Sequence, residues 1–500
     1  MEIVTFFKEV LALLTPMTLL IFAGATVLGI LVGALPGLTA TLAIALLTGV
    51  TYGLDTQAAL IVLLGIYVGA IYGGSFTAIM LNIPGTASAA ATAMDGYPLA
   101  LKGEGGRAKG YATVGSLMGT IFGLIILMAL APWISRLALR FTAVEFSLLA
   151  LFGILICGSI TSQDWPIKGW IAGVLGILLS TVGIDPLHGY ARFTFETPML
   201  LTGIALVPAM IGVFGIPQII RTMKTPDAKH VVIAESGRIL PTWKDFKKLI
   251  PASLRSGAVG TSIGAIPGVG EDIASWGSYG VARKLSKHPE EFGKGSYEGV
   301  LAAETGNNAA IGGALIPLLT LAVPGSPPTA VLLGALWLHG IRPGPMLAVE
   351  SPGFIYQIGA MLLVAACIMS AWGLLLTRVV AKALSIPRGI FMPIIAVLCV
   401  IGAYSLNLSL FDVWIMLGIG LIYYLLTEMK YPAAPLILGL ILGPLLDENL
   451  RRALTVHDGS LLPFMTRPFA LLFLLAIIIS LGSRTSWWKR LRDYAFRRSG

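Results

Sequence analysis

The chain has 500 residues, 56% hydrophobic and 12% charged, with a formal net charge of +9. A soluble domain carries about 25% charged residues, so a deficit sustained over the whole length, with a mean hydropathy of +0.86, excludes an ordinary soluble protein with one anchor. The basic surplus lies in loops and in the C-terminal tail, where it reads as membrane orientation and not as nucleic-acid binding.

Apolar runs separated by short polar loops fit helices and not the period-two alternation of a barrel. The expected fold is an all-α polytopic membrane protein with about 10–12 transmembrane helices plus re-entrant or broken helices. The N-terminus lacks the basic region and cleavage site of a secretory signal, so the apolar run from about Met17 is expected to be retained. Residues 1–220 form a first membrane half, with spans near 17–35, 56–72, 110–131, 144–162, 167–184 and 199–220. The polar stretch 221–250 reads as a cytoplasmic linker, whose part from Trp243 to Leu249 is either a surface amphipathic helix or a solvated connection. Residues 251–482 form the second half, with spans near 252–266, 298–318, 352–378, 389–408, 411–429, 432–446 and 465–482. The tail 483–500 is basic and follows Trp487 and Trp488, which predicts a cytoplasmic C-terminus held at the lipid surface. Cys157, Cys367 and Cys399 are scattered through apolar runs, which favours small buried side chains over a disulfide frame or a metal site.

The two halves repeat one another. GALPGLTA at 33–40 returns as GAIPGVGE at 264–271, and LNIPGTASAA at 81–90 returns as LAVPGSPPTA at 321–330. Each motif centres on Pro-Gly in an apolar segment, and Pro-Gly breaks a helix. The segments around 36–52, 73–96, 267–282 and 319–338 therefore read as re-entrant or broken pieces. Loop charge relates the halves: 51–56 has no Lys or Arg while 97–109 has Lys102, Arg107 and Lys109, whereas 283–294 has four such residues and 340–350 only Arg342. Positive loops stay inside, so equivalent loops fall on opposite sides, as inverted-topology repeats require.

A broken helix frees backbone amides that suit a carboxylate and carbonyls that suit a sodium ion. Pro36, Gly37, Thr39, Asn82, Pro84, Gly85, Thr86, Ser88, Pro267, Gly268, Pro324, Gly325 and Ser326 are the substrate-binding candidates, with amides expected from Gly37, Gly85, Gly268 and Gly325. A kinked helix needs no ligand, but two motifs that each occur twice favour a site. Thr41, Glu271, Asp272, Glu304, Asn307 and Asn308 are the ion-coupling candidates. An acid at membrane depth costs about 2.5–3.5 kcal/mol on insertion scales; Glu271 and Asp272 either hold an ion or face water at a helix start. Glu304, Asn307 and Asn308 share one helical face and read as a site or as interhelical hydrogen bonds. Their first-half counterparts Leu64, Tyr67 and Val68 suggest halves of unequal polarity. Asp95 is expected to end a broken element at the cytoplasmic face. No nucleophile–base set emerges, so no enzyme is expected, and no cofactor beyond Na+ or H+ as coupling ion.

The segments 33–55, 72–110, 264–287 and 304–336 together resemble the TctA family, the large membrane subunit of tripartite tricarboxylate transporters, in order and across essentially the whole chain. The resemblance implies uptake of a small organic di- or tricarboxylate across a bacterial inner membrane, driven by a sodium or proton gradient. It implies two partners: a small membrane subunit (TctB-like) and a periplasmic solute-binding protein (TctC-like). Nothing resembles an ATP-binding motif. The rival readings are a stand-alone carboxylate transporter or channel without a binding protein, and a membrane-embedded enzyme.

Overall fold

The computed structural model describes residues 2–35, 37–162, 165–224, 239, 242–376, 380 and 388–482. The first half contains α1 (Glu2–Leu13), α2 (Pro16–Ala34), α3 (Ala40–Thr51), α4 (Thr56–Leu81), α5 (Ala90–Leu101), α6 (Gly105–Ala138), α7 (Ala143–Thr161), α8 (Pro166–Ser180) and α9 (Leu206–Lys224). Between α8 and α9 a two-stranded antiparallel hairpin pairs β1 (Gly183–Ile184) with β2 (Ala191–Arg192). The second half contains α10 (Trp243–Gly264), α11 (Gly270–Leu285), α12 (Tyr297–Leu321), α13 (Pro327–Leu338), the short α14 (Leu347–Glu350), α15 (Phe354–Leu375), α16 (Arg388–Ser405), α17 (Leu410–Glu428), α18 (Ala433–Val456), α19 (Leu462–Thr466) and α20 (Pro468–Gly482). Helices α9 and α10 thus run into the polar stretch 221–250 from both ends; residues 225–238 and 240–241, the tail 483–500 and Pro36 lie outside the described residues.

Among the described residues eight helices are long and apolar enough to cross a membrane: α2, α4, α6, α7, α9, α15, α17 and α18. Helices α10 and α12 are equally long but carry polar side chains that neighbouring helices bury. Helix starts are set locally. Asp55 caps α4 by accepting from Ala58 N at 3.0 Å, and Thr142 with Glu145 forms a capping box at α7. Large apolar side chains such as Leu20, Trp414, Ile422, Leu472 and Ile478 point outward. In water that would be a liability; against lipid it is the expected surface, and the chain is a multi-pass membrane protein. Cys157 and Cys399 are buried as expected, but Cys367 on α15 is exposed, because its helical face looks outward.

Lipid offers no hydrophobic drive between helices, so small residues that let backbones touch hold such a bundle together. Here they also verify the repeat contact by contact. A Cβ on Gly29, Gly33 or Gly73 would strike the carbonyl oxygen of Ile66, Ala70 or Ile30, which joins α2 to α4. The same collisions recur between Gly260 and Gly306, Gly264 and Ala310, and Gly313 and Thr261, joining α10 to α12. The repeats run in opposite senses. Helix α5 lies alongside the second part of α4, with Ala89 at Gly74 and Ile79 at Gly96, and its end places Lys102 Nζ 2.7 Å from the carbonyl oxygen of Lys294, just before α12 begins. On the other face His339, after α13, lies 3.5 Å from Thr51 Oγ1, just before α4 begins. So α4 travels from the Thr51 face to the Lys102 face and α12 returns. The two basic loops, 97–109 and 283–294, share a face, as their charge required. Asp95 is fully buried in α5 and not at a surface. Its Oδ1 accepts from the backbone N–H of Gly293 (2.7 Å), Gly295 (2.9 Å) and Ser296 (2.9 Å), which ties α5 to the segment that leads into α12.

Candidate functional site

Each repeat breaks twice, in matching ways. After α2 the chain turns through Gly37 at φ 95°, and after α10 through Gly268 at φ 72°, a backbone region glycine occupies without strain. Helix α3 then starts with Thr39 Oγ1 accepting from Leu42 N at 3.1 Å, while α11 starts without a side-chain cap. Helices α4 and α12 end on left-handed residues, Asn82 at φ 55° and Ala322 at φ 57°. The chain then doubles back in extended form and re-enters helix at Thr86 and Ser326. Gly85 and Gly325 fit there because a Cβ would strike the carbonyl oxygens of Gly33 and Gly264, the ends of α2 and α10. Among the described residues the amides of Gly85 and Gly325 have no backbone acceptor. The amide of Gly268, expected as a free donor, is used: it donates to the carbonyl oxygen of Pro324 at 3.2 Å, and Gly270 N donates to that of Gly325 at 3.1 Å. The tight crossing of the two second-half tips consumes that donor and stitches them together.

The first half reaches into this crossing. The Tyr67 hydroxyl, fully buried midway along α4, donates to Glu271 and lies 3.1 Å from Ser326 Oγ. Ser326 also caps α13: its Oγ accepts from Thr329 N at 3.3 Å and its N–H donates to Thr329 Oγ1 at 2.9 Å. The short turn Ala87–Ala89 packs against α11, which starts with Glu271 and Asp272, and Thr86 Oγ1 lies 3.0 Å from Ser88 Oγ. Glu271 is buried, whereas Asp272, Ala87 and Asn82 are exposed, so the acid pair at the start of α11 divides into one buried and one exposed residue. Thr41 is buried within α3.

A second polar group sits on α12. Glu304, Asn307 and Asn308 are fully buried. Thr92 Oγ1 donates to Glu304 Oε1 at 2.6 Å and Ser116 Oγ to Oε2 at 2.8 Å. Asn308 Nδ2 donates to Ser116 Oγ at 2.9 Å; Asn307 instead turns toward the carbonyl oxygen of Ile71 at 3.5 Å. The candidates therefore form two groups. Thr86, Ser88, Gly268, Glu271, Asp272, Pro324, Gly325 and Ser326 meet at the tips, while Glu304 and Asn308 belong to a cluster with α5 and α6. Sequence reasoning missed Tyr67, Thr92 and Ser116. Tyr67 was within reach: it is the repeat counterpart of Asn307, and its hydroxyl makes the halves less unequal in polarity than expected.

Comparison with protein families matches residues 19–438 to the one described as the tripartite tricarboxylate transporter TctA family. An uncharacterized 52.8 kDa protein in the TAR-I ttuC' 3' region of Agrobacterium vitis is 39% identical over 460 residues, covering 91% of each chain. An uncharacterized protein in the TAR-II ttuC' 3' region of the same organism is 40% identical over 211 residues, covering 42% of this chain and 87% of that protein. No solved structure matches.

Proposed function

This chain belongs to the tripartite tricarboxylate transporter TctA family, and from that premise we propose that it imports a small organic di- or tricarboxylate as a secondary transporter fed by a periplasmic solute-binding protein and accompanied by a small membrane subunit. The observation that carries the reading is the meeting of broken helices from both repeats at one place. Substrate carboxylates would be held by the amides of Gly85 and Gly325, which stand at matching repeat positions beside helix N-termini, where the dipole favours an anion. Ser88 and Thr86 hydroxyls complete the first-half tip. Thr39 and Ser326 serve first as caps, so their part is to hold α3 and α13 at the site. Because the repeats run oppositely, rocking or sliding one against the other would open the tips to each side in turn. An anionic substrate beside Asp272 calls for a cation to offset the repulsion, which supports coupling to a sodium or proton gradient.

The test is protection of an introduced thiol. In a chain with Cys157, Cys367 and Cys399 replaced, Ala87→Cys should react with a water-soluble thiol reagent, and citrate or another transported carboxylate should slow the reaction. A Leu472→Cys control on the outer face should show no such protection. Uptake that proceeds while no transported carboxylate protects Ala87→Cys would remove the tips as the binding site.

A further inference from the structure

We propose that the cluster around Glu304, at the junction of α5, α6 and α12, is a binding site for a monovalent metal cation, with sodium as the occupant. The proposal deepens the transporter reading and rests on it for the use made of the ion, though not for ion binding itself. Glu304 is a carboxylate with no exposure, and its partners are the hydroxyls of Thr92 and Ser116. Among the described residues Glu304 is in no ion pair, and these two hydroxyls are its side-chain hydrogen-bond partners. A buried carboxylate without a counter-charge is costly, and proteins resolve the cost by pairing it or by coordinating a metal.

Two further oxygens next to it are unsatisfied. Thr305 Oγ1 and Asn308 Oδ1 have no hydrogen-bond partner although both residues are fully buried. All three side chains lie against the same two residues of α6. A Cβ on Gly115 would stand 3.3 Å from both Glu304 Cβ and Thr305 Oγ1, and Ser116 Oγ bonds both Glu304 and Asn308. The Asn308 amide nitrogen is spent on Ser116 Oγ and on the carbonyl oxygen of Glu304 at 3.1 Å, which leaves its oxygen as the free end. One carboxylate, one amide oxygen and hydroxyls make a hard, all-oxygen donor set with a single negative charge. That matches a monovalent hard cation. A divalent transition metal would want nitrogen or sulfur donors, and no grouping of three such side chains or carboxylates occurs among the described residues. The close contact of α6 with α12, through Gly115, Gly119 and Gly123 against the carbonyl oxygens of Leu301, Thr305 and Ala309, makes this site sensitive to how the two repeats sit. Through Thr92 on α5, occupancy would bear on the first-half tip only a few residues away.

Thr305→Val is the discriminating variant. It removes an oxygen that makes no hydrogen bond within the protein, so a merely structural role predicts no loss of stability. Thermal unfolding of the purified full chain in detergent would be followed against NaCl, with KCl or N-methylglucamine chloride at equal ionic strength. Wild type should be stabilised by sodium and not by the others, and Thr305→Val should need at least about tenfold more sodium for the same shift while matching wild type without it. Glu304→Gln, which keeps the side-chain shape and one acceptor oxygen while removing the charge, should lose the sodium response altogether. A wild type indifferent to sodium, or a Thr305→Val chain with an unchanged response, overturns the proposal. A sodium response without carboxylate protection of Ala87→Cys would leave this site standing and remove the tips as the binding site; the opposite pair of results would do the reverse.

Discussion

Tyr67 is the residue on which the two halves meet most directly, because one hydroxyl ties a first-half helix to both tips of the second half through Glu271 and Ser326. Tyr67→Phe keeps the ring and removes the tie, leaving buried Glu271 short of a donor. We expect a loss of about 1–3 kcal/mol in stability, read by thermal unfolding, with a fall in carboxylate uptake larger than the loss of folded protein. Uptake unchanged per folded molecule would reduce the contact to packing. Asp272 is the exposed member of its pair, and Asp272→Asn should change the sodium or pH dependence of uptake more than the substrate affinity; an unaltered ion profile would count against a part in coupling. The acids and amides of these groups were legible in the sequence, because a charge or an amide inside an apolar run is costly unless something binds it. Thr92 and Ser116 were not, and Tyr67 was within reach only as the repeat counterpart of Asn307. A tyrosine in an apolar helix reads as core, a hydroxyl in a Gly/Ala-rich helix reads as packing, and their partners lie about two hundred residues away in the chain.

At the scale of elements, Pro-Gly announced the breaks because it acts locally. What it could not announce was the doubling-back after Asn82 and Ala322, nor that Gly85 and Gly325 are there to let the returning strand touch α2 and α10. That contact needs the fold. Gly325→Ala would push a methyl into the carbonyl oxygen of Gly264 and against Ala314 Cα at 2.6 Å. We expect the variant to insert but to lose transport and about 1–3 kcal/mol of stability through overpacking, and Gly85→Ala to behave alike because the contact repeats. A silent result at either position, by uptake and thermal unfolding, would break the equivalence of the tips. The hairpin β1–β2 had no sequence signal at all: two residues per strand make no alternation. It is held instead by a charge cluster, in which Arg451 grips Asp185 at 2.6 and 2.9 Å and Arg192 reaches Asp447 at 2.9 Å. The Arg451 guanidinium holds Asp185 well below the usual carboxylate range. The clamp is therefore complete above the ordinary aspartate value of 3.8 and weakens only as pH falls below it. Asp185→Asn should loosen the loop at neutral pH, seen as faster proteolysis between α8 and α9, and wild-type resistance in the variant would show that the pairing does not hold the hairpin.

For the whole molecule, opposite loop charge in the two halves predicted opposite direction, and the contacts of Lys102 with Lys294 and of Thr51 with His339 bear it out. The crossing of the halves was beyond sequence patterning, since it depends on glycine stripes on several helices meeting at once. The central claim is that this assembly is a gradient-driven importer supplied by a binding protein. It is tested most directly by uptake of labelled citrate into proteoliposomes that contain this chain and its small membrane partner, with and without the solute-binding protein and with and without an inward sodium gradient. Uptake is expected only when both are present; uptake that proceeds without the binding protein and without the gradient would contradict the claim.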